Sequence, residues 1–422
     1  MQALLLAAGR SKRFWPLPDK NFLRFGEKTL VEIQVEKLQK AGMKKIILVG
    51  NKHNLEKLEK LFPKLEVLEQ KDLDDGMRGA VLTAKKFLNQ PTLILSTNDS
   101  ISVEAIKKVI AAKKCDGAIL AQEVKNYFPG GYLKVGKGKI FNIVEKPGEG
   151  KEPSNLVNIV CHLFQKPEGL VKELEKTHNK EDDGYELALA QLFKKGNFVA
   201  VKNPGSWQAV KYPFHVLDLT EKYLSGVKKK ISPKAKIAKT AVISGNVIIE
   251  AGVKVFDYAV ITGNTVIGKN SIVGTHAFVR DSIVGENSVV GGYSEVTRSY
   301  LGEGVWLHRN YVGDSVIAGN VSFGAGAVCA NLRLDEGEIK TVIRGDKINS
   351  HKTKFGCIVG EDCRIGVNTS IMPGVLIGGN SLIGSGMIVE KNVENDSFYT
   401  KKEEAHCIPN QKKIPPRDGF KI

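Results

Sequence analysis

The sequence predicts two domains of different class, an α/β domain followed by a β-helix built from hexapeptide repeats. Over the first half of the chain, apolar runs of strand length alternate with amphipathic stretches of helical length. Over the second half, aliphatic residues recur at intervals of six, which neither a helix nor an ordinary sheet produces. The chain has 422 residues, more than a single compact core usually encloses. We therefore expect an α/β domain over 1–226, a β-helix over 227–394 and a polar tail over 395–422.

The first domain is expected to contain a mostly parallel sheet covered by helices. Its candidate strands are residues 3–8, 45–49, 66–68, 92–96 and 117–121, and its clearest candidate helices are 30–41 and 79–88. In such a Rossmann-like fold, ligands bind at the carboxyl ends of the strands. The residues that follow the strands are therefore candidates for a binding site.

The first strand leads into a segment suited to bind phosphate. Ala8 and Gly9 end the apolar run, and Arg13 and Lys20 follow shortly after. A glycine lets backbone N–H groups approach an anion closely, and the two cations can neutralise a triphosphate and its departing pyrophosphate. The alternative is an ordinary strand-to-loop turn with a solvated basic face.

A carboxylate follows the fourth candidate strand. Asp99 comes after the apolar run 93–95, so we expect it to face the same crevice as Gly9. Beside a triphosphate, it would offer Mg²⁺ the hard oxygen ligand that this ion prefers. The alternative role is the N-cap of a helix that begins near Ser102.

The composition favours a cytoplasmic protein that binds small anions. No apolar run is long enough to span a membrane, and Met1 leads into a strand rather than a cleavable signal. The six cysteines form no Cys-x-x-Cys pair, so neither a zinc site nor a disulfide framework is indicated. The net charge is +16, but lysines and glutamates alternate instead of forming a basic block with aromatic residues. We therefore expect no nucleic-acid or membrane partner.

The motifs of the first domain resemble those of the sugar-1-phosphate nucleotidylyltransferases. The matching residues, in chain order, are Gly9, Arg13, Lys20, Gln70, Gly76, Gly131, Glu145, Lys146 and Asn158. The resemblance implies catalytic roles for Arg13 and Lys20 and magnesium binding by Asp99. The implied nucleotide-binding residues are Ala8, Gly9, Gln70 and Gly76, and the implied sugar-binding residues are Gly131, Glu145, Lys146 and Asn158.

The sequence departs from that family at several positions of the implied site. Ser11, Lys12 and Met77 replace the usual residues of the phosphate and base-reading turns. Ala209, within Trp-Gln-Ala, stands where the family has a second carboxylate or an asparagine for magnesium. These departures leave open which nucleobase is bound and whether nucleotidyl transfer is weak or lost.

The hexads of the second half predict a triangular coil, with three hexads to a turn. They are clearest at Val359, Ile365, Ile371, Ile377, Ile383 and Val389. Residues eighteen apart should then stack, Val359 on Ile377 and Ile365 on Ile383, at about 4.8 Å. This pattern resembles the left-handed parallel β-helix of the hexapeptide acyltransferases.

Chemistry-bearing residues interrupt the repeat at His308. Acetylation of an amine needs a base, and histidine, with a reference pKa of about 6.5, suits that role. A lone histidine can also be purely structural. The segment from His308 to Asp314 resembles the H-x-x-Y-x-G-D motif of glucosamine-1-phosphate acetyltransferases. That resemblance implies that His308 is the general base, and the implied ligand contacts are Tyr311 and Asn331 on the amino sugar, Arg280 on its phosphate and Ser385 on acetyl-CoA.

Across most of its length the chain resembles the bifunctional sugar-1-phosphate nucleotidylyltransferase/glucosamine-1-phosphate N-acetyltransferase family, in its archaeal architecture. The implied fold is a Rossmann-like nucleotidyltransferase domain followed by a left-handed parallel β-helix. The implied function is synthesis of UDP-N-acetylglucosamine from glucosamine-1-phosphate, acetyl-CoA and a nucleoside triphosphate, most simply UTP, with Mg²⁺, in a homotrimer formed through the β-helix. Two alternatives remain open, a monofunctional enzyme with one degenerate site and a non-enzymatic binding protein of the same two-domain plan.

Overall fold

The computed structural model describes residues 1–112, 114–177 and 183–401. The strands of the first domain are β1 (Gln2–Leu6), β2 (Arg24–Phe25), β3 (Lys28–Thr29), β4 (Lys45–Gly50), β5 (Glu66–Glu69), β6 (Thr92–Ser96), β7 (Asp99–Ser100), β8 (Gly117–Glu123), β9 (Gly131–Gly136), β10 (Lys139–Glu145), β11 (Leu156–Phe164), β12 (Phe198–Lys202) and β13 (Gln208–Ala209). Its helices are α1 (Leu30–Lys40), α2 (Leu55–Leu61), α3 (Gly76–Thr83), α4 (Val103–Ile110), α5 (Pro167–Lys176), α6 (Gly184–Lys195) and α7 (His215–Leu224).

The main sheet has nine strands in the order β5-β4-β1-β6-β11-β8-β12-β10-β9. The expectation of a mostly parallel sheet is correct for β5, β4, β1 and β6 and for the pair of β8 and β12, but β11 runs antiparallel to β6 and β8, and β10 runs antiparallel to β12 and β9. Parallel neighbours need a crossover, usually a helix, whereas β9 and β10 are joined by a two-residue turn at Lys137 and Gly138, both with positive φ. The sheet is therefore mixed.

The parallel part of the sheet brings the predicted site segments together. Leu6 of β1 lies between Val49 of β4 and Ser96 of β6, so all three strands end at one edge. The segments that follow them, including Gly9 and Asp99, start from that edge. Helix α1 is held in place by a capping box between Thr29 and Glu32 and buries its apolar side beneath the sheet.

The β-helix has three flat faces, each a parallel sheet with one strand per coil. The first face consists of Lys230–Ile231, Asn246–Ile249, Asn264–Ile267, Ile283–Val284, Tyr300–Leu301, Val316–Ile317, Ile358–Val359 and Leu376–Ile377. The second consists of Lys236–Ile237, Lys254–Val255, Ile272–Val273, Val289–Val290, Trp306–Leu307, Ser322–Phe323, Arg364–Ile365, Leu382–Ile383 and Phe398–Tyr399. The third consists of Val242–Ile243, Val260–Thr262, Phe278–Arg280, Glu295–Thr297, Tyr311–Gly313, Val328–Cys329, Ser370–Ile371 and Ile388–Val389.

The hexad register is confirmed. Val359 pairs with Ile377 and Ile365 with Ile383, and all four side chains are buried in the interior of the coil. A β-hairpin, Lys340–Ile343 with Asp346–Asn349, is inserted between two coils. Part of the segment predicted as a tail continues the coil, since Phe398–Tyr399 pairs with Leu382–Ile383; residues 402–422 lie outside the described residues.

The first domain covers the first face of the β-helix. The ring of Phe25 lies 5.7 Å from that of Tyr300, and the Tyr300 hydroxyl accepts a hydrogen bond from the backbone N–H of Arg24. Trp15 Nε1 donates to Asn395 Oδ1 at 2.9 Å. The second and third faces are left uncovered by the described part of the chain. In that same part, none of the helices has the length and apolar character needed to cross a bilayer.

Candidate functional site

The phosphate-binding segment begins where β1 ends. The backbone carbonyls of Ala7 and Ala8 are held by the side-chain amides of Asn54 and Asn51, at 3.0 and 2.9 Å. The space above Gly9 is open, since a Cβ built there meets nothing within 4 Å. The turn is therefore fixed from below and free on the side that faces the crevice.

The two expected catalytic cations differ in burial. Lys20 is buried, and its Nζ donates to the carbonyl of Val210 at 3.3 Å. Burial lowers the pKa of Lys20 to about 8, with Asp19 acting in the opposite direction. Arg13 is exposed, and its guanidinium lies 5.8 Å from the centre of the Tyr212 ring.

Asp99 lies in the same crevice. Its Oδ1 accepts a hydrogen bond from Trp207 Nε1 at 2.7 Å, and burial raises its pKa while that bond and the charge of Lys211 oppose the rise. Helix α4 is capped by Ser102, whose hydroxyl accepts from the backbone N–H of Ala105. The alternative of Asp99 as the helix N-cap is therefore wrong.

The side chains around Asp99 do not form a magnesium site with two carboxylates. Ala209 pairs directly with Asp99 in the ladder between β7 and β13 and offers no oxygen ligand from its side chain. Over the described ranges, no group of three His, Cys, Asp or Glu side chains is arranged to hold a metal ion. Lys20 and Lys211 both act electrostatically on Asp99 instead. To bind magnesium as predicted, Asp99 would therefore have to act without a second carboxylate at position 209.

The residues expected to bind the nucleobase hold their own loop. Gln70 is buried, and its Nε2 donates to the carbonyls of Asp72 and Gly76, both at 2.8 Å. Gly76 starts α3 with a positive φ of 52°. Gln70 thus closes the turn between β5 and α3.

The residues expected to bind the sugar converge from three antiparallel strands. Gly131 pairs with Glu145, and a Cβ at Gly131 would lie 3.1 Å from Glu145 Oε2. Lys146 forms an ion pair with Glu145 at 3.1 Å. Asn158 Oδ1 lies 2.7 Å from Nε2 of the fully buried His162.

His162, for which the sequence predicted no role, orients the side chain of Asn158. Its second ring nitrogen lies 2.8 Å from the Tyr185 hydroxyl, so both nitrogens are engaged. Burial lowers the pKa of His162 to about 3, which keeps the ring neutral. Asn158 and His162 are four residues apart on a strand, and that spacing does not indicate in the sequence that their side chains meet.

The sequence likewise predicted no role for Lys211. Its Nζ donates to the carbonyl of Pro129 and lies 3.9 Å from the centre of the Phe128 ring. Burial lowers its pKa to about 8, and the charges of Asp99, Arg13, Glu145 and Lys146 all act on it. The available signal in the sequence was a lysine only two residues after Ala209.

A second constellation lies on the third face of the β-helix. Asp314 accepts two hydrogen bonds from Arg298, from Nε and Nη2 at 2.7 Å each, and a third from Asn331 Nδ2 at 2.5 Å. A Cβ on Gly313 would lie 2.5 Å from the Tyr311 hydroxyl and 2.7 Å from Asn331 Nδ2, so these two polar groups sit side by side. Asp314, which is 6% exposed, therefore organises this site.

Arg280 lies at the same edge of the third face. It pairs in register with Thr297, and its backbone carbonyl accepts from the N–H of Arg298 at 3.0 Å. Among the described residues, neither Arg280 Nε nor Thr297 Oγ1 has a hydrogen-bond partner, although both atoms are buried. Buried donors of this kind are rare without a ligand or water.

His308 and Ser385 lie at the corner that joins the second face to the third. The His308 side chain is exposed, and its backbone N–H donates to Asn310 Oδ1 at 2.6 Å. Asn310 Nδ2 in turn donates to the carbonyls of Gly324 and Ala327. Ser385 is exposed at the same corner, three coils further along and so about 14 Å away at the usual strand spacing.

The architecture and these two constellations define a class of protein, an α/β nucleotide-binding domain joined to a β-helix with a polar site on one face. Residues 2–224 match the model of the nucleotidyl transferase family, and residues 227–322 match that of the GMPPB C-terminal domain. The bifunctional protein GlmU of Methanococcus maripaludis strain S2 is 34% identical, over 96% of this chain and 98% of the relative. The bifunctional sugar-1-phosphate nucleotidylyltransferase/acetyltransferase of Sulfurisphaera tokodaii is 32% identical, over 94% of this chain and 100% of the relative.

The chain belongs to the nucleotidyl transferase family and, within it, to the GlmU-type bifunctional proteins. The GlmU of Methanocaldococcus jannaschii is 32% identical, over 96% of this chain and 98% of the relative. Among solved structures, apo-UDP-glucose pyrophosphorylase aligns with 53% of this chain and 98% of its own, at 20% identity and a TM-score of 0.46.

Proposed function

We propose that this chain acetylates glucosamine-1-phosphate with acetyl-CoA and then transfers UMP from UTP to the product, yielding UDP-N-acetylglucosamine and pyrophosphate. The similarity to bifunctional relatives over almost the whole chain supports both activities. The single structural observation that carries the proposal is the assembly of Arg298, Asn331 and Tyr311 around Asp314. A β-helix that served only as a scaffold would need no such polar network on an uncovered face.

In the acetylation, the amine nitrogen of the sugar attacks the thioester carbonyl carbon, and the thiol of coenzyme A leaves. His308 takes the proton from the attacking nitrogen as general base. Tyr311 and Asn331 hold the amino sugar, and Arg280 binds the sugar phosphate; its Nε lacks a hydrogen-bond partner among the described residues and lies 3.8 Å from Asp281 Oδ2. Acetyl-CoA runs along the corner from His308 to Ser385.

In the nucleotidyl transfer, an oxygen of the sugar phosphate attacks the α-phosphorus, and pyrophosphate leaves. Arg13 and Lys20 neutralise the phosphate charge as it moves to the leaving group. The nucleotide is bound by Ala8, Gly9, Gln70 and Gly76, and the sugar by Gly131, Glu145, Lys146 and Asn158. Magnesium enters with the triphosphate as part of the substrate, with Asp99 as its candidate ligand, and no step is assigned to an ion held by the protein.

We also propose that the protein is a cytoplasmic homotrimer that assembles through the β-helix. Three large apolar side chains on the uncovered second face support association: Trp306, Leu382 and Phe398 are exposed by 52, 47 and 67%. Sedimentation velocity of the full chain tests the trimer. A monomer at micromolar concentration would exclude it.

A mass-resolved time course tests both activities at once. Purified protein is supplied with magnesium, glucosamine-1-phosphate, acetyl-CoA and an equal mixture of nucleoside triphosphates. We expect acetylated sugar phosphate first and UDP-N-acetylglucosamine second. His308→Ala should abolish the first product, while the same variant supplied with N-acetylglucosamine-1-phosphate should still form the second. Unchanged acetylation by this variant would rule out His308 as the base.

The alanine at position 209 supports a second candidate function, that of an enzyme that only acetylates. The missing carboxylate opposite Asp99 is the observation behind it. Accumulation of acetylated sugar phosphate with no nucleotide sugar in the same time course would establish this candidate, and no turnover at all would indicate a binding protein.

A further inference from the structure

The first site combines a lost carboxylate with a nearby lysine. Ala209 pairs with Asp99 across the β7–β13 ladder, and the backbone N–H of Val210 still donates to the carbonyl of Asn98 at 2.9 Å. The pairing thus continues one residue beyond β13, to Val210, and Lys211 follows directly. Lys211 lies close enough to Asp99 for the charge of each to act on the other.

A chain of contacts connects Lys211 to Asp99. The Lys211 ammonium lies 3.9 Å above the Phe128 ring, and the Phe128 ring meets Trp207 edge-on with centroids 4.7 Å apart. Trp207 then donates its indole N–H to Asp99 Oδ1. The hydrogen bond from Lys211 Nζ to the carbonyl of Pro129 uses one of its three donors and leaves two for a ligand.

The charges around Lys211 suit the binding of a polyphosphate at a site that has no carboxylate at position 209 to help hold a metal. Two carboxylates at positions 99 and 209 would attract a divalent cation, and that cation would bind phosphate. Here one carboxylate faces the cationic side chains of Lys20 and Lys211, with Arg13 close enough to act on Lys211. An anion entering the crevice therefore meets fixed positive charge on the protein itself.

We propose that Lys211 is a phosphate-binding residue of the first site and supplies the positive charge that a metal held by two carboxylates would otherwise supply. The ligand class is the triphosphate of the nucleotide and the pyrophosphate it releases. The inference rests on the proposed nucleotidyl function for the identity of the substrate. Binding of a polyphosphate in the absence of metal can, however, be measured without any turnover.

The test is isothermal titration of the full chain with UTP and with inorganic pyrophosphate, in EDTA and in excess magnesium. For the wild type we expect the two dissociation constants of each ligand to agree within about threefold. Lys211→Met keeps the packing on Phe128 but removes the charge, and should raise the dissociation constant in EDTA by about tenfold or more, the effect of a charge-assisted hydrogen bond. Lys85→Met removes the same charge from a surface ion pair with Glu175 and should change nothing.

A second variant keeps the proposal testable if Lys211→Met does not fold. Ala209→Asp restores the carboxylate opposite Asp99 and should weaken binding in EDTA while magnesium restores it. Wild-type binding that depends strictly on magnesium, or equal binding by wild type and Lys211→Met, would overturn the proposal, as would metal-independent binding by Ala209→Asp. If no nucleotide sugar forms but the expected binding changes are observed, the proposed nucleotidyl transfer is refuted and the proposed phosphate site is supported.

Discussion

Replacing Asp314 by asparagine should impair acetyl transfer and leave nucleotidyl transfer unchanged. The carboxylate accepts three hydrogen bonds, two from Arg298 and one from Asn331, and is almost fully buried. An asparagine of the same size keeps one acceptor oxygen and turns an amide NH₂ toward a donor. At least one bond to the guanidinium is then lost, and such bonds contribute about 1.5–3 kcal/mol. If that free energy holds Arg298 and Asn331 in position, kcat/KM for acetylation falls by about 10- to 150-fold.

The assay follows both half-reactions of the same preparation. Acetylation is measured by release of the coenzyme A thiol, and nucleotidyl transfer by release of pyrophosphate from UTP and N-acetylglucosamine-1-phosphate. The second reaction is the internal control, because it takes place in the other domain. Unchanged acetylation would refute the positioning role of Asp314. An equal loss of both rates, accompanied by a lower melting temperature, would instead indicate general destabilisation.

Three other changes have outcomes that the structure defines. Gly131→Ala places a Cβ 2.9 Å from Ile143 Cδ1 and 3.1 Å from Glu145 Oε2, so steady-state kinetics should show KM for the sugar phosphate rising about five- to tenfold with a smaller change in kcat. The pKa of His162 is lowered by burial to about 3 from an unfolded value of about 6.5, so the unfolded state binds the proton first and stability falls as the pH drops through that interval. Urea unfolding at several pH values should show His162→Gln reducing this slope by about 1.4 kcal/mol per pH unit, and an unaltered slope would mean that the ring is not held neutral. Ile377→Ala removes a fully buried side chain from the coil interior and should cost about 2–5 kcal/mol, visible as a lower midpoint of denaturation.

The β-helix could be predicted from the sequence because most of its contacts follow a short and nearly constant interval. Val359 pairs with Ile377 eighteen residues later, and the same spacing joins the strands of the first coils, while the middle coils pair at sixteen or seventeen residues. The pattern of aliphatic residues therefore contains the register directly. The site motifs of the first domain were predictable for a similar reason, since Gly9 and Asp99 each follow a strand that ends at the same edge.

The contacts that shape the two sites could not be read in this way. Lys211 meets Pro129, and Trp207 meets Asp99, across sequence separations of 82 and 108 residues. No periodicity links such positions, and only the folded sheet brings them together. The antiparallel insertion of β11 was missed for the same reason, because the order of strands in a mixed sheet is set by tertiary packing.

The interface between the domains makes the β-helix part of the scaffold of the first site. The loop that contains Arg13 and Lys20 passes over the first face, where Trp15 donates to Asn395 and the carbonyl of Pro16 approaches Gly360 so closely that a Cβ there would lie 2.9 Å away. Gly360 follows Val359 at a corner of the coil, where both the backbone of Gly379 in the next coil, 2.6 Å from such a Cβ, and the approaching loop require a small residue. Because the first face is occupied in this way, the second and third faces and their shared corner remain accessible, and Arg280, His308 and Asn331 lie there. The two chemistries are thus kept apart, each using a side of the β-helix that the other leaves free.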